Sequence, residues 1–185
     1  GNFDYNDLNG MRWGRNIIPT SHSFGGIPGR VFLVAVDQVS ISDIYVKNKP
    51  SPKDVDVIVR MRNITGISQS GTFKVIVYPW KHPETAIWEK TFKQNLALKG
   101  SEHVFSVKAP KAELWDIDHP NLYTVEVSFT SPDGKIHDTL TQRFGFRWFT
   151  IGEKDGDQRF YLNGRRIVQI NAYSWSFWPV NGVYP

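Results

Sequence analysis

The sequence predicts an all-β protein built around an antiparallel β-sandwich. In its central part, β-branched and aromatic residues alternate with polar ones over short runs, so that each run has one apolar face. About seven such runs are separated by turns rich in Gly, Pro, Asn and Ser, a spacing typical of a sandwich. No segment has a sustained helical period or a helix stop signal.

The predicted strands follow from this alternation. In residues 54–63, every second side chain from Val55 to Met61 is apolar, and most of the residues between them are charged, which predicts that only one face meets solvent. Residues 88–92 add a short aromatic run to the set. The predicted strands are 39–47, 54–63, 72–78, 88–92, 103–109, 122–130 and 136–146.

Three local patterns predict how the later strands are joined. Tyr123 follows the Pro120-Asn121 turn and begins an alternating apolar face, as in a tyrosine corner, where the hydroxyl is bonded to upstream backbone. Pro132-Asp133-Gly134 predicts a turn between two strands, because Pro fixes φ and Gly permits positive φ. Asn163-Gly164 predicts a two-residue hairpin between 160–162 and 167–168.

The flanks differ from the middle. Residues 31–36 are almost wholly apolar and predict a strand buried on both faces. Residues before Phe24 lack a strand pattern, and we expect an irregular tail there. The start at Gly1 without Met and the aromatic end at 175–179 predict a piece of a longer chain.

Composition argues against several classes of partner. The net charge of +4 comes from scattered Lys and Arg, without the basic block expected of a nucleic-acid or membrane patch. No apolar run reaches the roughly 20 residues of a membrane helix. The absence of cysteine excludes disulfides and thiolate chemistry. We therefore predict neither a nucleic-acid nor a membrane partner.

One loop gathers candidate metal ligands. Asp116, Asp118 and His119 lie within four residues, but a hard cation prefers six or more oxygen ligands and zinc prefers ligands from separated positions. We expect these carboxylates to accept backbone N–H bonds instead. The other histidines are dispersed and have no Ser or Cys partner nearby. No metal site and no cofactor are predicted.

The best-defined motifs resemble one enzyme family. Residues 114–149, closing on Phe144-Gly145-Phe146-Arg147, and the downstream run 160–166 resemble the end of the immunoglobulin-like domain of glycoside hydrolase family 2 and its join to the catalytic barrel. This family includes β-galactosidases, β-glucuronidases and β-mannosidases. Its members place a sugar-binding jelly roll first, an immunoglobulin-like sandwich second and a TIM barrel third.

The resemblance implies a domain plan. Residues 1–38 would be the tail end of the jelly roll, 39–148 the immunoglobulin-like β-sandwich, and 149–185 a linker hairpin followed by the start of the barrel. In this plan 168–172 would be the first barrel strand. The resemblance favours a periplasmic or secreted protein and leaves a cytoplasmic one open.

The resemblance also implies where the chemistry lies. Family members use two glutamates on later barrel strands, the first usually after an Asn, to hydrolyse β-glycosides with retention. None of the six glutamates in this chain follows an Asn, so no catalytic residue is assigned. We expect the chain alone to be inactive.

Two sets of site residues follow from the family pattern. In the intact parent, substrate contact is expected of Asn171, Trp175, Phe177 and Trp178, which would follow the first barrel strand, with packing against the barrel an equal alternative for the aromatics. Arg147 is expected to fix the sandwich against the barrel by hydrogen bonds or stacking. The predicted structural junction consists of Tyr123, Arg147, Asn163 and Gly164.

Three functional interpretations remain open from the sequence. The first is a non-catalytic spacer domain whose partners are the jelly-roll and barrel domains in cis and, in the intact parent, an oligosaccharide or glycoside. The second is a free-standing carbohydrate-binding module, and the third is an adhesin-like interaction domain. The hairpin after Phe-Gly-Phe-Arg favours the first, because neither rival requires it.

Overall fold

A computed structural model of the chain describes residues 29–154 and 156–170, together with four two-residue strands nearer the N-terminus. The chain divides into two units, and residues 35–169 form the one that contains most of the described residues. The short strands are β1 (Phe3–Asp4), β2 (Arg12–Trp13), β3 (Asn16–Ile17) and β4 (Ser23–Phe24). Antiparallel pairs join β1 to β4 and β2 to β3. The expectation of an irregular tail is wrong for these strands, which are too short to show an alternating pattern.

The unit of residues 35–169 contains a two-sheet antiparallel sandwich, so the predicted all-β fold class is confirmed. One sheet has the order β5-β6-β9 and the other the order β11-β10-β7-β8. Every pairing in both sheets is antiparallel. The strands are β5 (Val39–Asn48), β6 (Asp54–Asn63), β7 (Gln69–Pro79), β8 (Trp88–Leu96), β9 (Ser101–Lys108), β10 (Tyr123–Thr130) and β11 (His137–Phe144).

The core lies between the two sheets and follows the alternation in the sequence. On β6 the apolar residues Val55, Val57, Val59 and Met61 are all buried. Phe73 of β7 lies at the centre, where its ring centroid is 5.3 Å from that of Phe105 on the opposite sheet. Because burial of such a side chain contributes about 1.5–3 kcal/mol, this cluster is the main source of the stability of the sandwich.

The β8 strand extends further than predicted. It reaches Leu96, whereas the sequence pattern ends at residue 92, and its polar residues 93–95 pair with residues 70–72 of β7. These side chains are exposed, so no alternation marks them. Backbone hydrogen bonds at this sheet edge define the strand, and a side-chain pattern does not reveal them.

The prediction of a doubly buried strand at 31–36 is wrong. The structure has no strand there, and Val31, Leu33 and Val36 are exposed by 73%, 102% and 50%. A strand buried on both faces needs paired neighbours, and no described strand pairs with this segment. An apolar run predicts that a segment tends to be buried, but it does not show which strands would pair with it.

A third, smaller sheet follows the sandwich. It consists of β12 (Phe149–Lys154), β13 (Asp157–Leu162) and β14 (Arg165–Ile167), in that order. The predicted hairpin is present, because Leu162 pairs with Arg165 across Asn163 and Gly164, whose φ values are 52° and 79°. Positive φ at both positions is what a type I′ turn requires.

Two features of this region differ from the prediction. The β12 strand was not predicted, because its alternation is short and Gly152 interrupts it. Residues 168–170, expected to begin the first barrel strand, are not in a strand, and 171–172 lie outside the described residues. Within the described ranges, no helix is long and apolar enough to cross a membrane.

Candidate functional site

The Tyr123 side chain anchors the loop that precedes β10. Its hydroxyl accepts a 2.8 Å hydrogen bond from the backbone N–H of Glu113, ten residues upstream. The ring is buried and meets the Phe146 ring edge-on, with centroids 5.1 Å apart. This is the geometry of a tyrosine corner. It holds residues 113–122 against the end of the sandwich.

Hydrogen bonds within the loop fix its shape. The Asp116 carboxylate accepts backbone N–H bonds from His119 at 2.6 Å and from Asp118 at 2.8 Å. These bonds, the one from His119 first, hold the pKa of Asp116 below its usual value. The Asn121 amide donates to the Leu114 carbonyl at 3.0 Å. In the part of the chain that the structure describes, no group of His, Asp or Glu could hold a metal ion.

Trp115 connects this loop to the end of β11. Its backbone N–H donates to the Phe146 carbonyl at 2.9 Å. Its side chain packs so closely on Gly145 that a Cβ there would lie 2.7 Å from the Trp115 Cβ. The Arg147 guanidinium lies over the Trp115 ring, 4.3 Å from the centroid, a cation–π contact. In the Phe-Gly-Phe-Arg motif, the two Phe rings are therefore buried in the core, and Gly145 and Arg147 both contact Trp115.

Asn163 joins the small sheet to the sandwich. Its backbone N–H donates to the Trp148 carbonyl at 2.9 Å, and its Oδ1 accepts the Trp148 N–H at 3.0 Å. Its Nδ2 donates to the Trp115 carbonyl at 2.8 Å. Asn tolerates the left-handed φ of 52° better than most residues, and its amide can donate and accept at once. One residue therefore links the hairpin, the linker and the sandwich loop.

Peripheral contacts add little to this link. Arg165 and Asp118 form an ion pair at 3.1 Å, but their side chains are mostly exposed, and such pairs contribute roughly 0–1 kcal/mol. Gly164 completes the turn beside the Trp148 ring, which would lie 3.8 Å from a Cβ at that position. We define the junction cluster as Trp115, Tyr123, Arg147, Trp148 and Asn163.

Comparison with known proteins identifies the sandwich. The family model described as glycosyl hydrolases family 2 matches residues 39–147, which is more than half of the chain. The chain belongs to glycoside hydrolase family 2. The matched segment begins with β5 and ends at Arg147 of the junction cluster, so the family 2 domain coincides with the sandwich.

Individual family 2 proteins support this assignment. A β-galactosidase of Thermoanaerobacterium thermosulfurigenes is 31% identical over 149 residues, 78% of this chain and 20% of that protein. The structure of Parabacteroides merdae β-glucuronidase matches with a TM-score of 0.51 and 29% identity, over 71% of this chain and 16% of that one. A family 2 member from Bacteroides cellulosilyticus has the same fold, with a TM-score of 0.59 and 21% identity over 71% of this chain and 18% of that one. The chain spans about a fifth or less of each.

The structure brings together some predicted site residues and leaves others aside. Tyr123, Arg147 and Asn163 all lie in the junction cluster, with Gly164 next to it. Trp115 and Trp148 were not predicted as site residues, although Trp148 directly follows the Phe-Gly-Phe-Arg motif and Trp115 packs on its Gly145. The predicted substrate contacts Asn171, Trp175, Phe177 and Trp178 lie outside the described residues.

Proposed function

We propose that this chain contains the non-catalytic spacer domain of a family 2 glycosidase, which orients a preceding jelly roll against a following TIM barrel. In this proposal residues 1–38 end the jelly roll, 39–148 are the spacer and 149–185 lead into the barrel. The parent enzyme hydrolyses β-glycosidic bonds with retention. The names of the related β-galactosidase and β-glucuronidase support a glycoside as its substrate.

The observation that carries the proposal is the set of Asn163 hydrogen bonds. A spacer must transmit orientation, so the segment leaving the sandwich has to be fixed to it. The Asn163 amide bonds a loop 48 residues upstream and the linker at the same time. Side-chain hydrogen bonds of this kind contribute about 0.5–1.5 kcal/mol each and define direction as well as stability.

Among the described residues, the four carboxylates whose pKa departs from its usual value all have it lowered, which supports a non-catalytic role. Glycosidases need an acid whose pKa is raised and a second carboxyl group about 5–5.5 Å away for a retaining mechanism. Burial raises the pKa of Asp56, but hydrogen bonds from Lys49 and Ser106 outweigh it and leave that pKa lowered. The pKa of Asp133 is lowered by its bond from Ser131. These groups stay ionised, which is the reverse of a general acid.

Residual dipolar couplings test the spacer role. In the full chain, couplings from β5–β11 and from β12–β14 should fit one alignment tensor. Asn163→Gly removes the side-chain bonds but keeps a residue that accepts positive φ, and we expect two tensors to be needed. The control Asn95→Gly removes an exposed amide from β8 and should leave a single tensor. A single tensor in Asn163→Gly would contradict the proposal.

An activity assay tests the non-catalytic part separately. The full chain is incubated with chromogenic β-galactoside, β-glucuronide and β-mannoside, and we expect no release above a buffer blank. Turnover that is lost on changing one of the six glutamates to Gln would overturn this part of the proposal, whatever the dipolar couplings show.

A further inference from the structure

A cationic aromatic cluster lies on the outer face of the four-stranded sheet. It consists of Trp80, at the end of β7, with Lys81 and Arg143. Trp80 is 39% exposed, and its ring has the Lys81 Nζ at 4.3 Å and the Arg143 Cζ at 4.8 Å from a ring centroid. Two cations therefore share one indole, within the 6 Å range of cation–π contact.

Several cations on the sandwich have carboxylate partners, whereas others, such as Arg62 and Lys93, have none among the described residues. Lys49 pairs with Asp56, Arg60 with Asp43 and Glu102, and Lys74 with Glu89. Among the described residues, neither Lys81 nor Arg143 has a carboxylate partner.

Two glutamates close to the cluster in strand register or in sequence are bonded to other groups. Glu126 accepts the Tyr78 hydroxyl at 3.3 Å, and Glu84 lies 3.2 Å from His82. Like charges held beside one ring repel each other, so an added anion would relieve this repulsion.

The backbone holds the cluster in place. The Trp80 N–H donates to the Leu122 carbonyl at 2.9 Å, next to the first residue of β10. Lys81 has a φ of 71° and lies in a turn that the His82 N–H closes on the Pro79 carbonyl at 2.9 Å. Because Arg143 lies within β11, the groups come from ordered strands and one closed turn.

The surroundings suit a sugar better than a protein. Strand register places Arg143, Thr124 and Tyr78 side by side in one row across β11, β10 and β7. Below this row the same face carries hydroxyl groups at Ser128, Thr139 and Thr141, together with Glu126 and Ile76. Protein interfaces have apolar centres and are depleted in Ser, whereas sugars need hydroxyl-bonding groups around one flat apolar platform.

The opposite sheet shows what an apolar outer face looks like in this molecule. There, Tyr45, Ile58 and Val104 form a cross-strand row, and Tyr45 and Val104 are exposed by 57% and 56%. The Trp80 face has no comparable row of exposed apolar residues among those described. An acidic protein surface is therefore the weaker match for the cluster.

We propose that Trp80, Lys81 and Arg143 form a surface site for a carboxylated sugar, such as a uronic acid unit of a glycan. The guanidinium and ammonium groups bind its carboxylate, and the exposed part of the indole packs against the C–H groups of the sugar ring. The partly exposed Tyr78 lies beside the ring hydroxyls, whereas Thr124, in the same row, is almost fully buried. This site is independent of the spacer role, because it requires neither a barrel nor the junction cluster.

An NMR titration of the full chain tests the site. The ligand is trigalacturonate, and its methyl ester is the matched neutral ligand with the same rings. Trigalacturonate should shift the Trp80 indole N–H and the amides of Lys81 and Arg143, and the ester should bind at least about tenfold more weakly. Equal binding of the two ligands, or no binding of trigalacturonate, would overturn the proposal.

Substitutions test which positive charges bind trigalacturonate. Arg143→Gln and Lys81→Gln should each weaken trigalacturonate binding by about fivefold or more, because each removes a charge-assisted contact. The control Arg60→Gln removes an exposed arginine from the other sheet and should change the affinity less than twofold. All three side chains are exposed, and the amide spectrum of each variant checks its fold. Equal losses in Arg143→Gln and Arg60→Gln would contradict the site.

Two further ligands test whether the site binds a carboxylated sugar or any carboxylate. Acetate, at the same carboxylate concentration, should compete poorly because it lacks a ring for the indole. A hexaglutamate peptide should bind more weakly than trigalacturonate for the same reason. If acetate competes equally, or if hexaglutamate binds more tightly at the same residues, the assignment to a sugar is wrong.

Discussion

The sandwich and the small sheet β12–β14 are stabilised in different ways. The sandwich buries a continuous apolar cluster drawn from all seven of its described strands. In the small sheet, by contrast, Leu162 is the one buried residue of those described, and Phe149 and Ile151 are exposed by 47% and 60%. The sandwich therefore has its own core, whereas the small sheet depends on its hydrogen bonds to the junction cluster.

This difference predicts a hierarchy of stability. Elements with few buried apolar contacts open at lower free energy than those in a core. We expect the small sheet to open without the sandwich, but not the sandwich without the small sheet.

The largest expected effect is in the sandwich core. Phe73→Ala should lower the free energy of unfolding by about 3–5 kcal/mol, because it removes a fully buried ring that contacts Phe105 and Phe129. Phe160→Ala in the small sheet should change it by less than about 1 kcal/mol, since that ring is 37% exposed. Urea unfolding followed by circular dichroism measures both. Similar losses of unfolding free energy in the two variants would show that the small sheet has a core of its own.

An intermediate effect is expected at the tyrosine corner. Tyr123→Phe should cost about 1–2 kcal/mol, because the Glu113 N–H loses its partner at the end of the sandwich. Tyr45→Phe is the matched control, since that side chain is 57% exposed on the outer face of β5. We expect its urea midpoint to match that of the wild type. If both variants have the wild-type midpoint, Tyr123 does not anchor the loop.

The smallest effect concerns pH. Burial lowers the pKa of His103, whose ring lies 5.1 Å from that of Phe73, below the reference value of 6.5. Between the pKa of His103 in the folded chain and its higher value in the unfolded chain, the unfolded chain binds more protons. The contribution of His103 to the free energy of unfolding is therefore constant above about pH 6.5 and falls as pH drops below it. Because His103 is only partly buried, the loss should be less than about 1 kcal/mol.

Urea unfolding at pH 7.5 and pH 5.0 measures this change. His103→Gln should reduce the difference between the two conditions, and His137→Gln, an exposed position on β11, should not. Carboxylates with a lowered pKa, such as Asp56, whose pKa is lowered from 3.8, titrate below pH 5.0. They therefore do not contribute to this difference. An unchanged pH difference in His103→Gln would show that its burial has no energetic consequence.

Local patterns could predict the core but not the contacts between distant segments. The alternation on β6 and β7 indicates which side chains are buried, because a strand has only two faces. The Asn163-Gly164 pair predicts its turn, yet nothing local indicates that its amide bonds Trp115, 48 residues away. The cluster at Trp80 likewise depends on the register of three strands, which becomes visible only in the folded sheet.

At residues 31–36, by contrast, a local pattern predicts a strand that the structure does not have. The apolar run is a strong strand pattern, but pairing depends on neighbours that the run itself does not specify. The β8 strand extends through exposed polar residues because β7 offers backbone partners there. Side-chain patterns therefore predict burial more reliably than they predict strand pairing.

Hydrogen exchange in the full chain and in Asn163→Gly tests whether the Asn163 bridge holds the small sheet, which lacks its own core, to a sandwich that is stable by itself. We predict that the amides of β12–β14 exchange faster than those of β7 and β10 in the wild type. In Asn163→Gly they should exchange about tenfold faster again, with β7 and β10 unchanged. Equal acceleration in all strands, or none in β12–β14, would show that Asn163 does not hold the small sheet to the sandwich.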